Sequence, residues 1–283
     1  MLPTPDTSHV SFSTIYEPAE DSYFFLDTLS STTETAWLTS RFSARSHSSP
    51  SSTVPLAVEI GTGSGIIIAF LAAHAQTILG SAVVALGVDA NIHACVATRR
   101  TAEKAVGEQR ATAGGAGSVH SVYADSIAGD LSGMLKPQSV DLLVCNPPYV
   151  PSETVPELPS NKFFSSTEPS APEPEPATDL PKSYASRFEH ESHLLKLTYD
   201  GGTDGMQVTN RLLQQLRRVL SPRGVAYILL CARNRPEEVK ERIRGWEDGI
   251  WRAETAGRSG RKAGWERLEI VRIWRDGAIP AEG

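Results

Sequence analysis

Hydrophobic positions along the chain fall into two kinds of run. Val54–Ile60, Ala82–Val88, Val119–Tyr123, Val140–Cys145 and Val225–Cys231 are short, rich in β-branched residues and apolar at nearly every position. Runs of that kind suit strands covered on both faces of a parallel sheet. Between them the spacing turns helical over Gly65–Leu79, Ile92–Val106, Ser126–Leu135 and Gly205–Leu220, the last closed by Ser221-Pro222. Arg267–Trp274 alternates in the manner of a final strand, and Tyr16–Asp27 reads as an amphipathic helix whose Phe24, Phe25 and Leu26 need burial. Strand-helix-strand alternation predicts an α/β fold, a doubly wound and mostly parallel sheet with right-handed crossovers. A ligand is expected at the carboxyl ends of its strands.

Three stretches interrupt this pattern. Fifteen of the 26 residues from Thr28 to Thr53 are Ser or Thr, so residues 31–53 are expected to form a loop after an N-terminal helical segment at 14–30. Eight of the 19 prolines lie between Pro151 and Pro181, and residues 152–190 read as a mostly disordered insertion that lacks ladder donors and a buried face. Ala111–Ser118 reads as a loop tip. One domain over residues 1–283, carrying these insertions, accounts for the chain.

Charge narrows the partners less than it first suggests. The formal net charge is −6, which disfavours binding by phosphate neutralisation. Yet residues 207–283 hold 16 Lys+Arg against 10 Asp+Glu, and residues 152–197 hold 8 acids against 4 bases. Without that insertion the chain is only mildly acidic. Cys95, Cys145 and Cys231 lie far apart, which supports neither a disulfide framework nor a cysteine-rich metal site. The HxC pair His93/Cys95 and the neighbours His190 and His193 read as incidental. No run reaches membrane-spanning length, and residues 1–30 lack a signal-peptide pattern, so a soluble, cytoplasmic location is expected, with a nuclear pool left open.

The chemistry begins at Glu59-Ile-Gly-Thr-Gly-Ser-Gly65, which follows the first strand and opens a helix. Gly61, Gly63 and Gly65 allow a sharp turn and close approach of a ligand. The spacing is GxGxG, and an acid precedes the first glycine. A carboxylate there repels a pyrophosphate and welcomes a cation, as in the sulfonium and ammonium groups of S-adenosylmethionine. Asp89 ends the second strand, 24 residues after Gly65, where it can accept from both hydroxyls of a ribose. Asp125, after the expected third strand, can accept from an adenine amino group, with the Ser126 N–H beside it.

Asn146-Pro-Pro-Tyr149 follows the fourth strand directly. As plain structure it is a strand-ending turn. As chemistry it answers the need of a planar nitrogen, whose lone pair is delocalised. Two acceptors gripping its N–H groups, the Asn146 side-chain oxygen and the Pro147 carbonyl, can draw it towards tetrahedral geometry. The two prolines stiffen the turn, and Tyr149 offers a flat face to the substrate.

Together these motifs resemble the class I, Rossmann-like S-adenosylmethionine-dependent methyltransferases that act on planar nitrogens. Tyr16-Glu-Pro-Ala-Glu-Asp-Ser-Tyr-Phe-Phe-Leu-Asp27 is similar to the amino-terminal segment of the eukaryotic HemK-like branch. Tyr199-Asp-Gly-Gly-Thr-Asp-Gly205 is similar to the Gly-Gly…Asp-Gly element of release-factor glutamine methyltransferases. The likeness spans about residues 14–150 and 197–275. It implies methylation of the side-chain amide N5 of glutamine in the Gly-Gly-Gln motif of a class I translation termination factor. It places Tyr16, Ser22, Glu59, Gly61, Gly63, Gly65, Asp89, Asp125, Ser126 and Asn146 around the cofactor, with Asn146, Pro147 and Tyr149 at the target amide. It also implies a heterodimer with a small zinc-binding activator subunit near Val119–Tyr123, the zinc belonging to that partner. An adenine-N6 nucleic-acid methyltransferase shares the Asn-Pro-Pro-Tyr motif, but the acidic, proline-rich insertion is a poor clamp for phosphates. A lysine methyltransferase has no need of paired carbonyl acceptors, and a cofactor-binding scaffold has no need of an intact Asn146 turn.

Overall fold

The computed structural model describes residues 2–42, 54–112, 120–158, 180–260 and 267–276. In chain order its elements are α1 (Glu20–Leu29), α2 (Thr32–Phe42), β1 (Leu56–Ile60), α3 (Ile66–Leu79), β2 (Val84–Asp89), α4 (Ile92–Thr112), β3 (Val122–Ala128), β4 (Val140–Cys145), α5 (Leu180–Tyr199), α6 (Gln207–Val219), β5 (Leu220–Cys231), α7 (Pro236–Arg244), β6 (Trp251–Arg258) and β7 (Leu268–Arg275). The strands form one sheet in the order β3-β2-β1-β4-β5-β7-β6. The first five are parallel, and β7 and β6 are antiparallel additions at one edge.

The sheet is doubly wound because its strands are apolar on both faces. Leu142 and Val144 of β4 pack with α1, α2 and α3, through Phe25, Leu38 and Phe70. Leu143 and Cys145 face the opposite layer, with Leu212, Leu213 and Leu216 of α6 and Ile243 of α7. The period of two along a strand therefore feeds two cores at once. From β1 the chain winds outward to β2 and β3, then returns to β4 on the other side of β1. That reversal is the switch point at which parallel α/β sheets open a crevice. Two residues past the paired Glu59 and Val144, the two chains diverge as Gly61 and Asn146.

Several expectations change. The Ser/Thr-rich stretch expected to be a loop over 31–53 is helical over Thr32–Phe42, and residues 43–53 lie outside the described residues. The third strand runs from Val122 to Ala128, so the helix expected from Ser126 to Leu135 is instead the strand's end followed by turns. Of the expected insertion, residues 180–190 belong to α5, and residues 159–179 lie outside the described residues. Its opening is tied down, since Val150 N–H donates to Tyr199 O at 3.0 Å and Ser152 N–H to Gly202 O at 3.1 Å. The Ala111–Ser118 loop tip begins as the end of α4, and the rest of it lies outside the described residues.

α2 has few large apolar residues, and a buried polar cluster holds it instead. Glu34 accepts from Arg272 Nη1 at 2.9 and 3.0 Å and from the Tyr227 hydroxyl at 2.7 Å. Arg272 also lies over the Trp37 ring, 4.2 Å from its centroid, and donates to Glu254 at 2.9 Å. Burial, then the nearness of Glu34, pushes the Tyr227 hydroxyl far above its ordinary pKa. Removing one partner of a buried pair strands the others. Glu34→Ala should therefore lower the unfolding free energy by about 3 kcal/mol in denaturant titration. Glu254→Ala, whose side chain is 54% exposed, should cost under about 1 kcal/mol. Equal losses would contradict this account of α2.

Candidate active site

The carboxyl ends of β1, β2, β3 and β4 open into one cleft of about 250 Å³. Tyr16, Ser22, Glu59, Gly61, Gly63, Asp89, Asn146, Pro147 and Tyr149, all expected from the sequence, line it. The glycine loop has positive φ at Gly61 (+72°), Gly63 (+53°) and Gly65 (+78°), a conformation that side chains resist. At Gly61 and Gly63 an added Cβ would meet nothing within 4 Å, so the loop faces open space. Gly65 does different work. A Cβ there would lie 2.6 Å from the Thr98 backbone, so Gly65 lets α3 pack on α4 and does not line the cleft.

Two acids, Glu59 fully buried and Asp89 half-buried, define the electrostatics. Glu59 accepts the Ile68 N–H in the first turn of α3 at 2.9 Å, where the helix dipole favours negative charge. Asp89 accepts from Gly63 N–H at 2.9 Å and Asn91 N–H at 2.8 Å, which leaves acceptor capacity on both oxygens. Burial raises the pKa of both carboxyls, and for Glu59 the nearby Asp89 adds to the shift. A cationic or hydroxyl-bearing ligand would offset that penalty.

Asp125 and Ser126 lie elsewhere. Because β3 extends to Ala128, Asp125 is within the strand and pairs with Arg99 at 2.6 Å, its side chain 48% exposed. The Ser126 N–H and the Arg99 guanidinium hold the Asp125 carboxyl below its usual range. The acid at the end of the third strand that reaches the cleft is Asp130, which also pairs with Arg211. Placing the strand three residues too early concealed it.

At the β4 end, Asn146 Nδ2 donates to Asp21 Oδ2 at 3.0 Å. Asn146 Oδ1 is buried and has no hydrogen-bond partner among the described residues. A buried acceptor left open costs about 1–3 kcal/mol unless a ligand supplies the donor. The turn itself is bolted from behind. Asn234 Nδ2 donates to Tyr149 O at 3.2 Å and Asp204 O at 3.0 Å, while its Oδ1 accepts from Cys231 N–H at 2.8 Å. Gly205, at φ +67°, has no room for a Cβ, which would overlap the Tyr149 carbonyl. The Gly-Gly…Asp-Gly element thus packs directly against the Asn-Pro-Pro-Tyr turn. Asn234 carries no local signal in the sequence, because only the fold brings it there.

No protein-family model matches the chain. Among curated proteins it is 31% identical to the eRF1 methyltransferase catalytic subunit Mtq2 of Schizosaccharomyces pombe, over 98% of this chain and 97% of that one. The chain belongs to the Mtq2/HEMK2 methyltransferase family. Methyltransferase HEMK2 of Homo sapiens is 27% identical over 95% of each chain. A release factor glutamine methyltransferase of Caulobacter vibrioides is 27% identical over 59% of this chain and 42% of its own.

For this Mtq2/HEMK2-family chain, the support behind the turn is testable. Gly205→Ala combines positive φ with overlap and should cost roughly 2 kcal/mol of stability and more than tenfold in methyl transfer. Gly61→Ala, strained only by its φ, should cost about 1 kcal/mol in the same unfolding assay. A Gly205→Ala chain of unchanged stability and activity would show that the element does not support the turn.

Proposed function

We propose that the chain is the catalytic subunit of an S-adenosylmethionine-dependent methyltransferase. Its substrate on this reading is the side-chain amide N5 of glutamine in the Gly-Gly-Gln motif of a class I translation termination factor. The observation that carries the proposal is the buried Oδ1 of Asn146, without a partner among the described residues, on a side chain that lines the cleft with Pro147. A primary amide has two N–H donors, and this turn offers side-chain and backbone carbonyl acceptors. The Mtq2 relative is named for eRF1 and the bacterial relative for a release factor glutamine, which supports the same substrate.

The residues present fit S-adenosylmethionine. Buried Glu59 and half-buried Asp89 line the cleft, and Gly61 and Gly63 leave space for close approach. Asp89 would hold the ribose and Asp130 the adenine side. When bound, S-adenosylmethionine supplies an electrophilic methyl group carried on cationic sulfur. Asn146 and Pro147 grip the two amide hydrogens, and Tyr149 supports the plane of the group. As the nitrogen becomes tetrahedral its lone pair localises, and the proton can leave after transfer. Preorganised acceptors of this kind are fixed before the reaction and need no reorganisation.

The relative's designation as a catalytic subunit supports a second subunit here too. We assign to it the edge of the sheet at β3, unpaired among the described residues, where Val122 is 47% and Ile127 37% exposed; α4, which packs on β3, exposes Val96 at 47%. An uncovered edge strand with apolar neighbours is a template for pairing. Zinc on this reading belongs to that activator, and the complex acts in the cytoplasm on the termination factor.

The test is to offer labelled S-adenosylmethionine and the activator-bound chain a Gly-Gly-Gln termination factor and duplex DNA together. Label is expected in the protein, and label confined to DNA would make adenine-N6 the substrate. Asn146→Ala should slow transfer about 10²–10³-fold with cofactor affinity retained. In calorimetry, Asp130→Ala should weaken S-adenosylmethionine binding at least tenfold, whereas Asp125→Ala leaves it within twofold. The reverse order would return the adenine contact to Asp125.

A further inference from the structure

Asp21, in the first turn of α1, is 4% exposed and gathers the donors around the Asn146 turn. Its Oδ1 accepts the Ser22 N–H at 2.6 Å. The Ser22 hydroxyl also donates to Oδ1, at 3.3 Å. Oδ2 accepts from Asn146 Nδ2 at 3.0 Å and from the Tyr149 hydroxyl at 3.3 Å. The Tyr16 hydroxyl lies 3.2 and 3.3 Å from the two oxygens. Among the described residues, the Asp21 carboxylate thus gathers donors from Tyr16, Ser22, Asn146 and Tyr149.

A primary amide has nearly the same shape in two orientations, which exchange a carbonyl for an NH₂. Nothing in the packing around Asn146 need distinguish them, but a carboxylate does. It offers only acceptors, so it holds the NH₂ and opposes the carbonyl. We propose that Asp21 is a positioning residue that selects the Asn146 orientation presenting Oδ1 to the substrate amide. The inference rests on the glutamine reading above, since only a substrate with N–H donors requires that orientation. Reversed, Asn146 would offer a donor to a donor, and the grip on the amide nitrogen would be lost. Hydrogen bonds to a charged group are strong enough to bias two such orientations by roughly 10- to 100-fold. Asp21 also explains why the Tyr16–Asp27 segment is joined to the turn. One side chain from a separate helix sets the polarity of the site.

The experiment compares Asp21→Asn and Asp21→Glu in the activator-bound chain, alone and with Asn146→Ala. Methyl transfer to the Gly-Gly-Gln factor and S-adenosylmethionine affinity are both measured. Asn matches Asp in shape but can hold the Asn146 amide either way. Glu differs in shape but keeps an acceptor-only group. If Asp21 acts through polarity, Asp21→Asn lowers kcat about 10- to 100-fold, leaves KM and cofactor affinity within twofold, and retains less activity than Asp21→Glu. In the Asn146→Ala background Asp21→Asn should cost less than about twofold more, because its target is gone. Equal losses in both backgrounds, or a loss confined to cofactor affinity, would overturn the inference while the glutamine reading stands. If Asp21→Glu does not fold, the double-mutant cycle with Asp21→Asn decides alone. A wild-type complex that leaves the factor unmethylated would overturn the glutamine reading and this inference with it.

Discussion

A carbonyl oxygen kept from water with no donor to meet it is unfavourable, and a protein holds one in place only by fixing everything around it. Asn146 Oδ1 is in that state, and the site is organised to hold it. The fully buried strand β4 delivers Asn146 to the rim of the cleft. Pro147 and Pro148 remove the freedom to turn away, and Asp21 occupies the amide nitrogen. From behind, Asn234 and the glycines at 201 and 205 press on the carbonyls of the turn. These supports come from four separate parts of the chain. The turn therefore depends on the whole fold and not on its own four residues.

The other half of the cleft uses the same kind of stored penalty. Desolvation disfavours the ionised forms of buried Glu59 and half-buried Asp89, and among the hydrogen bonds and ion pairs of the described residues neither carboxylate meets a cation. Backbone N–H groups hold them only in part. A ligand with positive charge near Glu59 and hydroxyls near Asp89 would satisfy both, which is the pattern of a sulfonium nucleoside. The switch point between β1 and β4 brings the two halves within one cavity. On the proposed reading, methyl donor and amide acceptor would meet there because the sheet reverses its winding.

Much of this was legible where local pattern and global role agree. β4 is apolar at five of its six positions, the glycine loop follows β1 directly, and the Asn-Pro-Pro-Tyr turn comes at the strand end, so each announces itself. The misplaced features have physical causes. β3 alternates exposed and half-buried residues at the sheet edge, so Asp125 and Ser126 looked like its end when they lie inside it. α2 is Ser/Thr-rich, and what holds it, Glu34 with Arg272 and Tyr227, spans more than 190 residues. β6 has charged residues at Arg252 and Glu254, gave no strand signal, and exists because β7 offers it a ladder. Asp21 carries no local signal of its role, because that role depends on a neighbour 125 residues away.

On the proposed reading, the Asn146 turn presents its acceptors to a primary amide. Fragmentation mass spectrometry of the termination factor after reaction with the activator-bound chain and S-adenosylmethionine tests it most directly. A single added methyl group is expected on the side-chain nitrogen of the glutamine in Gly-Gly-Gln. A methyl group on a lysine amine, which has a free lone pair and no need of paired acceptors, would contradict it.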